Sequence, residues 1–118
     1  MKTTYPLFLI LNLFLFSILS AQNTHQADSL VLVDFYYSTG GESWTNNTNW
    51  LTGSSLDGWY GISLDTVSGR VSGIELENNN LSGELPDELI LLDSLKRFNV
   101  SYNELNGNIP ELHNLIHL

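Results

Sequence analysis

The chain has 118 residues, with four Lys and Arg against thirteen Asp and Glu and a formal net charge of -9. This acidity argues against nucleic acids and anionic membrane surfaces as partners. The absence of cysteine excludes a disulfide framework, a thiol nucleophile and a cysteine metal site.

The N-terminal residues 1–21 are predicted to be a secretory signal peptide. Lys2 precedes a short apolar run over residues 6–21, which ends in the small residues Ser20 and Ala21. The run is short for a membrane-spanning helix, which needs about 20 apolar residues. We therefore predict cleavage after Ala21, a location outside the cell or at its surface, and no membrane insertion of the mature chain. An uncleaved membrane anchor is the alternative interpretation.

A helix is predicted next, ending at about Ser38. Asp28 or Ser29 would cap its N-terminus, and Gly40 and Gly41 would end it. Apolar residues recur at helical spacing, and this stripe is expected to face the core. The stripe consists of Leu30, Val33 and Tyr37.

A polar, turn-rich loop over residues 45–58 follows the helix. Three tryptophans are predicted to pin this loop to the core: Trp44, Trp50 and Trp59. A sugar-binding platform is the alternative role for these rings, and core packing is the favoured one. Tyr60 and Ile62 are predicted to begin an edge strand, and residues 65–69 to turn the chain into a repeated region.

Residues 71–94 and 95–117 are two tandem copies of one pattern. The period is 24 residues (95 − 71), so Asn79 of the first copy falls on Asn103 of the second. Both copies match L-x-x-L-x-L-x-x-N-x-L with conservative apolar exchanges, a framework typical of leucine-rich repeats. A third copy would begin at Leu118, so we expect the chain to be part of a longer protein.

Each position of the pattern has a predicted role. Ile74 and Leu76 enter the core from a short strand, while Glu75 and Glu77 face outward. Glycines at 83 and 107 permit close backbone approach or a positive φ, and Pro86 and Pro110 bend the chain onto the convex side. Convex-side residues then cover the core: Leu89, Leu92, Leu112 and Leu115. In the last coil we expect apolar side chains to be exposed and to promote association: Leu105, Ile109, Leu112 and Leu115.

The asparagine triplet 78–80 is predicted to divide into two roles. Asn79 ends the strand, and its amide can bond buried backbone groups of its own turn and the next. Asn103 would lie one coil further on, so the two form an asparagine ladder. Asn78 and Asn80 are predicted to be solvated turn residues.

The segments "LSGELP" (81–86) and "LNGNIP" (105–110) resemble the plant-type leucine-rich repeat. Residues 28–69 are similar to the N-terminal cap of that family, closest to the cysteine-free version in secreted bacterial proteins. Ser63 stands where the plant cap has a cysteine, so packing must hold this cap together. The resemblance implies an α/β solenoid: a right-handed leucine-rich repeat coil with short parallel concave strands, capped by a helix and a Trp-rich loop. It divides the chain into a signal peptide (1–21), a cap (22–69) and repeats (70–118).

Two patterns raise the question of catalysis or metal binding. His113 and His117 have a helical chelating spacing but lack the Glu of a metalloprotease motif, so surface histidines are favoured. Glu75 and Glu77 would lie about 7 Å apart by strand rise, within the range of glycosidase carboxylates. No predicted cleft would bury either one, so we expect no enzyme, no metal and no cofactor. Glycosylation sequons begin at Asn46, Asn80 and Asn99.

The outward positions of the two strands are the predicted binding site, because they are free of any core role. Arg97 and Tyr102 are predicted contacts, with Glu75 and Glu77 selecting charge and Asn99 in the same row. The expected function is a secreted module that binds a protein, peptide or glycan on its concave face. The alternative is the capping fragment of a larger surface protein or enzyme, and a purely structural spacer is a weaker third.

Overall fold

The computed structural model describes residues 27–112. Helix α1 spans residues 27–38. Five strands follow: β1 (Ile62–Leu64), β2 (Val71–Glu75), β3 (Ser82–Glu84), β4 (Arg97–Asn99) and β5 (Glu104–Asn106). Three 3-10 helices lie at Gly41–Ser43, Leu56–Gly58 and Asp87–Leu91. We call residues 27–69 the cap and residues 70–112 the repeats.

The strands form two small sheets. In the first, β1 is an antiparallel edge strand beside β2, and β2 pairs in parallel with β4. Ile74 lies opposite Phe98, an offset of 24 residues (98 − 74) that equals the repeat period. Successive coils therefore stack in register on this side, as the pattern predicts.

The second sheet departs from the predicted period. Strands β3 and β5 are parallel, but Gly83 lies opposite Leu105, an offset of 22 residues (105 − 83). The reason is local: the Leu81 N–H donates to Asn103, and the Glu104 N–H donates to the Leu81 carbonyl. These two bonds fix β5 two residues short of the repeat period.

The predicted apolar stripe of α1 is wrong. Leu30 and Tyr37 are 59% and 66% exposed, and Val33 is only half-buried. The core face consists instead of Val31, Leu32, Phe35 and Tyr36. The cause is Asp28, which is buried on this inner face and holds the helix in that rotation through its bonds to Arg70. Asp28 also lies within α1 rather than capping it.

The three tryptophans are core residues, so the sugar-platform alternative is wrong. Trp44, Trp50 and Trp59 are 4–6% exposed, and they form one cluster with Phe35 and Tyr36. Ring centroids within this cluster lie 4.8–6.3 Å apart. Every indole N–H donates to a backbone carbonyl: Trp44 to Thr39, Trp50 to Tyr60 and Trp59 to Ser54.

The predicted turn and the convex side are largely as expected. Strand β1 begins at Ile62, two residues after Tyr60, which is exposed. Leu89 and Leu92 are buried beneath the 3-10 helix Asp87–Leu91. In the last described coil Ile109 is 67% exposed, whereas Leu105 and Leu112 are half-buried. The predicted signal peptide, Leu115 and the two C-terminal histidines lie outside the described residues.

Candidate binding face and asparagine ladder

Asn103 holds two successive coils together with its side chain. Its Oδ1 accepts hydrogen bonds from the backbone N–H groups of Asn79 and Leu81, both at 2.9 Å. Its Nδ2 donates to three carbonyl oxygens, those of Leu76, Val100 and Ser101. One amide thus serves its own turn and the turn of the preceding coil, just beyond the ends of β2 and β4.

Asn79 makes the equivalent contact one coil earlier, against the cap. Its Oδ1 accepts from the Asn46 N–H at 2.8 Å, and its Nδ2 donates to the Asn46 carbonyl at 2.9 Å. Asn79 is only 2% exposed. Each side chain therefore reaches back toward the N-terminus, and the loop around Asn46 takes the place of a preceding coil. Sequence reasoning missed this partner because Asn46 lies outside the repeat framework.

Asn78 and Asn80 are exposed residues of the turn, as predicted, but both also fit its backbone. Both have a positive φ, 49° and 60°, in the left-handed region that asparagine tolerates better than most residues. The Asn80 Nδ2 also donates to the Ser43 carbonyl at 2.9 Å. All three asparagines of the triplet are therefore fitted to the turn, two by backbone conformation and one by its buried amide.

The sheet β1–β2–β4 has one face toward the core and one toward solvent, which we call the outer face. Three aligned residues form one row across it: Ser63, Gly73 and Arg97. A Cβ at Gly73 would lie 3.3 Å from the Ser63 Cβ and 3.6 Å from the Arg97 Nε. Gly73 thus leaves room for the arginine side chain to lie across β2.

Arg97 reaches Glu75 in the next row, with 3.6 Å between Nε and Oε1. Both side chains are about half exposed, so this pair contributes at most about 1 kcal/mol to stability. Glu77 is exposed at the end of the same strand. Neither carboxylate lies in a buried cleft, and Glu75 faces a guanidinium. The arrangement offers charged and hydrogen-bonding groups to a ligand.

Asn99 is held in one orientation beside this pair. Its Oδ1 accepts from the Ser101 N–H at 3.1 Å and from the Ser101 hydroxyl at 2.7 Å. Its Nδ2 makes none of the hydrogen bonds identified among residues 27–112. The amide is therefore pre-oriented, with its acceptor side occupied locally and its donor side available to a ligand.

Tyr102 is 87% exposed and has a φ of 55°. It occupies the position of Asn78 in the preceding coil (102 − 24), where the left-handed conformation suits asparagine. A tyrosine there is strained, and the ring gains little from burial in the chain itself. Residues Glu75, Glu77, Arg97, Asn99 and Tyr102 all line one depression, which also runs over the open end of the last described coil, at Leu85, Phe98, Val100, Leu105 and Ile109. The structure thus brings the five predicted binding residues together.

A buried ion pair, missed by sequence reasoning, joins the cap to the first repeat. Asp28 receives hydrogen bonds from the Nε and Nη2 of Arg70, both at 2.8 Å, and from the Val71 N–H at 3.0 Å. The side-chain bond to Asp28 raises the pKa of Arg70 above its ordinary value. The available signal was an aspartate in the first turn of an amphipathic helix, which sequence reasoning assigned to capping.

Other candidate sites have little support in residues 27–112. No three His, Asp or Glu side chains in this range are placed to hold a metal ion. No helix in this part of the chain is long and apolar enough to cross a membrane.

The curated relatives are plant receptors with much longer chains. The receptor-like kinase TMK2 of Arabidopsis thaliana is 38% identical over 68 residues, covering 58% of this chain and 8% of that protein. Phytosulfokine receptor 1 of the same plant is 34% identical over 91 residues, 73% of this chain and 8% of that protein. The chain spans 7–11% of the length of such relatives. No family profile matches the chain.

Solved structures with the same fold come from plants and bacteria. The BIR2 ectodomain of Arabidopsis thaliana has a TM-score of 0.65 at 27% identity, covering 76% of this chain and 52% of that one. A chain of the BIR3–SERK2 complex from the same plant has a TM-score of 0.59 at 28% identity, with coverage of 77% and 53%. A leucine-rich repeat protein from Bacteroides eggerthii has a TM-score of 0.55 at 30% identity, with coverage of 64% and 13%. This chain therefore carries the plant-type leucine-rich repeat pattern and adopts the leucine-rich repeat solenoid fold.

Proposed function

We propose that the chain is a secreted binding module that takes a protein or peptide ligand on its outer face, the concave face of the solenoid, without catalysing a reaction. The observation that carries this proposal is that Glu75, Glu77, Arg97, Asn99 and Tyr102 lie together along one side of a depression whose other side is the open end of the last described coil. Their strand neighbours Ile74, Leu76 and Phe98 are buried and supply the rigid support. The five side chains have no core role, so their identity is free to serve recognition.

The chemistry of these groups favours a polypeptide over other ligands. Arg97 and Asn99 offer donors, Glu75 and Glu77 offer acceptors, and Tyr102 offers an exposed ring. Arginine and tyrosine are the side chains most often found at interface hot spots. A structural neighbour, a chain of the BIR3–SERK2 complex, is itself part of a protein–protein complex. A glycan ligand is the less favoured possibility, because the tryptophans that could stack on sugars are buried in the cap.

The strained conformation of Tyr102 supports its role as the main contact. Non-glycine residues with positive φ cost energy and persist where the surrounding structure or a function requires them. The first repeat shows that asparagine fills this position without such a conflict. A tyrosine that is 87% exposed gains too little from its own chain to explain its presence.

We further propose that the mature chain begins at Gln22, after removal of the apolar N-terminal segment. The support is the order of Lys2, the apolar run and the small residues Ser20 and Ala21. Expression in a bacterial host with a secretion pathway, followed by mass determination of the extracellular protein, tests this. A product that retains residues 1–21 in a membrane fraction would establish an anchor instead.

The binding proposal is tested with ligands selected from a phage-displayed random peptide library against the full chain. Affinity is then measured for Arg97→Ala and Tyr102→Asn, with Lys96→Ala as the control that removes a cation from outside the depression. We expect each outer-face change to weaken binding by about tenfold or more, as for hot-spot residues, and the control to change little.

A second candidate function is a cap and scaffold that supports binding elsewhere. The extensive contacts of the cap with the first repeat, through Asp28 and Asn79, favour this candidate. Selected ligands whose affinity survives both Arg97→Ala and Tyr102→Asn would support the scaffold role and refute the outer-face proposal.

A further inference from the structure

The cap carries a second apolar surface, formed by the edge of the core and by side chains that the core leaves exposed. We call it the cap groove, and it is lined by Val33, Tyr37, Leu51, Leu56, Trp59 and Leu64. The groove lies along the side of α1 that sequence analysis assigned to the core. An amphipathic helix of a globular protein normally presents polar residues on its solvent side. Here α1 has two apolar sides, one packed against the tryptophans and one open.

Two groove residues keep exposed surface despite their apolar character, most of it on Tyr37. Tyr37 is 66% exposed and Leu51 is 37% exposed. Leu30, one turn before Val33 and Asp34 on α1, extends the apolar stripe at 59% exposure. Contiguous exposed apolar surface of this kind marks interaction sites more often than isolated exposed residues do.

The backbone at Leu51 supplies an independent observation. Its φ is 59°, a left-handed conformation that is strained for leucine. In the described residues only Leu51 and Tyr102 are non-glycine, non-asparagine residues with positive φ. Asn49 shows that asparagine is used for the same conformation two residues earlier in this loop. Leu51 therefore places an apolar side chain at the groove although its left-handed backbone conformation disfavours leucine.

The charges around the groove indicate the nature of its occupant. Residues 27–69 contain five acidic residues and no Lys or Arg: Asp28, Asp34, Glu42, Asp57 and Asp65. Asp34 lies four residues after Leu30 and three before Tyr37, so all three lie on the same side of α1. Asp57 is hydrogen-bonded to Ser55, which lines the groove. Acidic side chains thus flank an apolar floor.

We propose that the cap groove binds a cationic amphipathic segment of a partner protein, with apolar side chains in the groove and Lys or Arg facing the flanking carboxylates. A second copy of this chain fits poorly, because a symmetric contact would place two acidic cap surfaces without Lys or Arg against each other. An anionic membrane is disfavoured by the same charges. This surface is separate from the outer face, so the two binding proposals stand or fall independently.

The probe is a fluorescent peptide of about 18 residues, with Leu and Lys arranged as an amphipathic helix, and its counterpart has Glu in place of Lys. Fluorescence anisotropy with the full chain measures both affinities. We expect tighter binding of the Lys peptide, and a loss of about fivefold or more on Tyr37→Ser and on Leu51→Asn. Val67→Ser is the matched control, because Val67 is 96% exposed and lies outside the groove.

Folding and charge are controlled separately. Leu51→Asn relieves the backbone strain, so a melting temperature at or above that of the parent chain shows that lost binding is not lost folding. Asp57→Asn should weaken binding of the Lys peptide more than Asp87→Asn does, because Asp87→Asn removes the same charge from the convex side. The proposal would be overturned by unchanged binding in both groove variants or by equal effects of the two charge changes. Self-association or binding to zwitterionic vesicles that depends on Tyr37 would also overturn it.

Discussion

The cap and the repeats are held together by different forces. In the cap, five aromatic rings and one buried ion pair fix a loop that has almost no regular structure. In the repeats, apolar side chains at the framework positions form the core, and the amides of Asn79 and Asn103 join each turn to the preceding one. The cap therefore depends on side chains that occur once, whereas the repeats add a polar contact that recurs with the coil.

Two contacts join the cap to the first repeat, one through an asparagine amide and one through an ion pair. Asn79 extends the amide ladder into the cap by bonding the backbone of Asn46. Asp28 extends the cap into the repeats by bonding Arg70 and the backbone of Val71. Because both contacts cross the same boundary, we expect the cap and the first repeat to unfold together.

The largest expected effect is from the ion pair. Asp28→Ala leaves a mostly buried guanidinium and the Val71 N–H without their acceptor, and should lower the free energy of unfolding by about 4 kcal/mol. Urea unfolding measures this, with Asp34→Ala as the control on the exposed side of α1. A loss equal to that of the control would show that the cap is held by its aromatic rings alone.

The second largest loss of stability is expected from changes in the asparagine ladder. Asn103→Ala should cost about 3 kcal/mol and Asn79→Ala about 2 kcal/mol. The first removes the side-chain partner of five backbone groups, of which only the Ser101 carbonyl keeps a backbone partner within residues 27–112, the Asn78 N–H, and the second removes the partner of two. Asn106→Ala is the exposed control. The same unfolding measurements test the order, and a reversal would contradict the assigned division of contacts.

The turn positions should respond to backbone conformation rather than to lost bonds. Asn78→Ala should cost about 1 kcal/mol, and Asn78→Gly should be nearly neutral, because only alanine is penalised at a φ of 49°. By the same reasoning, Tyr102→Asn should raise stability by up to about 1 kcal/mol. Thermal melts of the three variants check this. A destabilising Tyr102→Asn would mean that the tyrosine serves the fold.

The repeats could be predicted from the sequence better than the cap could. The 24-residue framework predicts strands β2 and β4, their register and the outward positions, because the repeat imposes one geometry on both copies. The rotation of α1 was not predicted, because the helix carries apolar residues on two sides. Contacts with residues distant in sequence, the tryptophan cluster and Arg70, select the buried side. The positive φ of Leu51 likewise depends on the loop around it.

The smallest expected effect concerns the turn before β2. Backbone N–H groups of Ser68 and Val67 donate to the Asp65 carboxylate and lower its pKa below its ordinary value. A carboxyl with a lowered pKa contributes stability above its ordinary pKa and loses it as the pH falls through the lowered value. Asp65→Ala should therefore destabilise the chain at neutral pH and much less at strongly acidic pH. An equal loss at both would show that the charge is irrelevant to the turn.

The most direct test of the proposed function is to map a selected peptide ligand on the full chain by amide chemical-shift perturbation. The account predicts that the largest shifts cluster at Glu75, Glu77, Arg97, Asn99 and Tyr102, with the cap core around Trp50 unchanged. Shifts confined to the cap or to the convex 3-10 helix Asp87–Leu91, with the outer face unaffected, would contradict it.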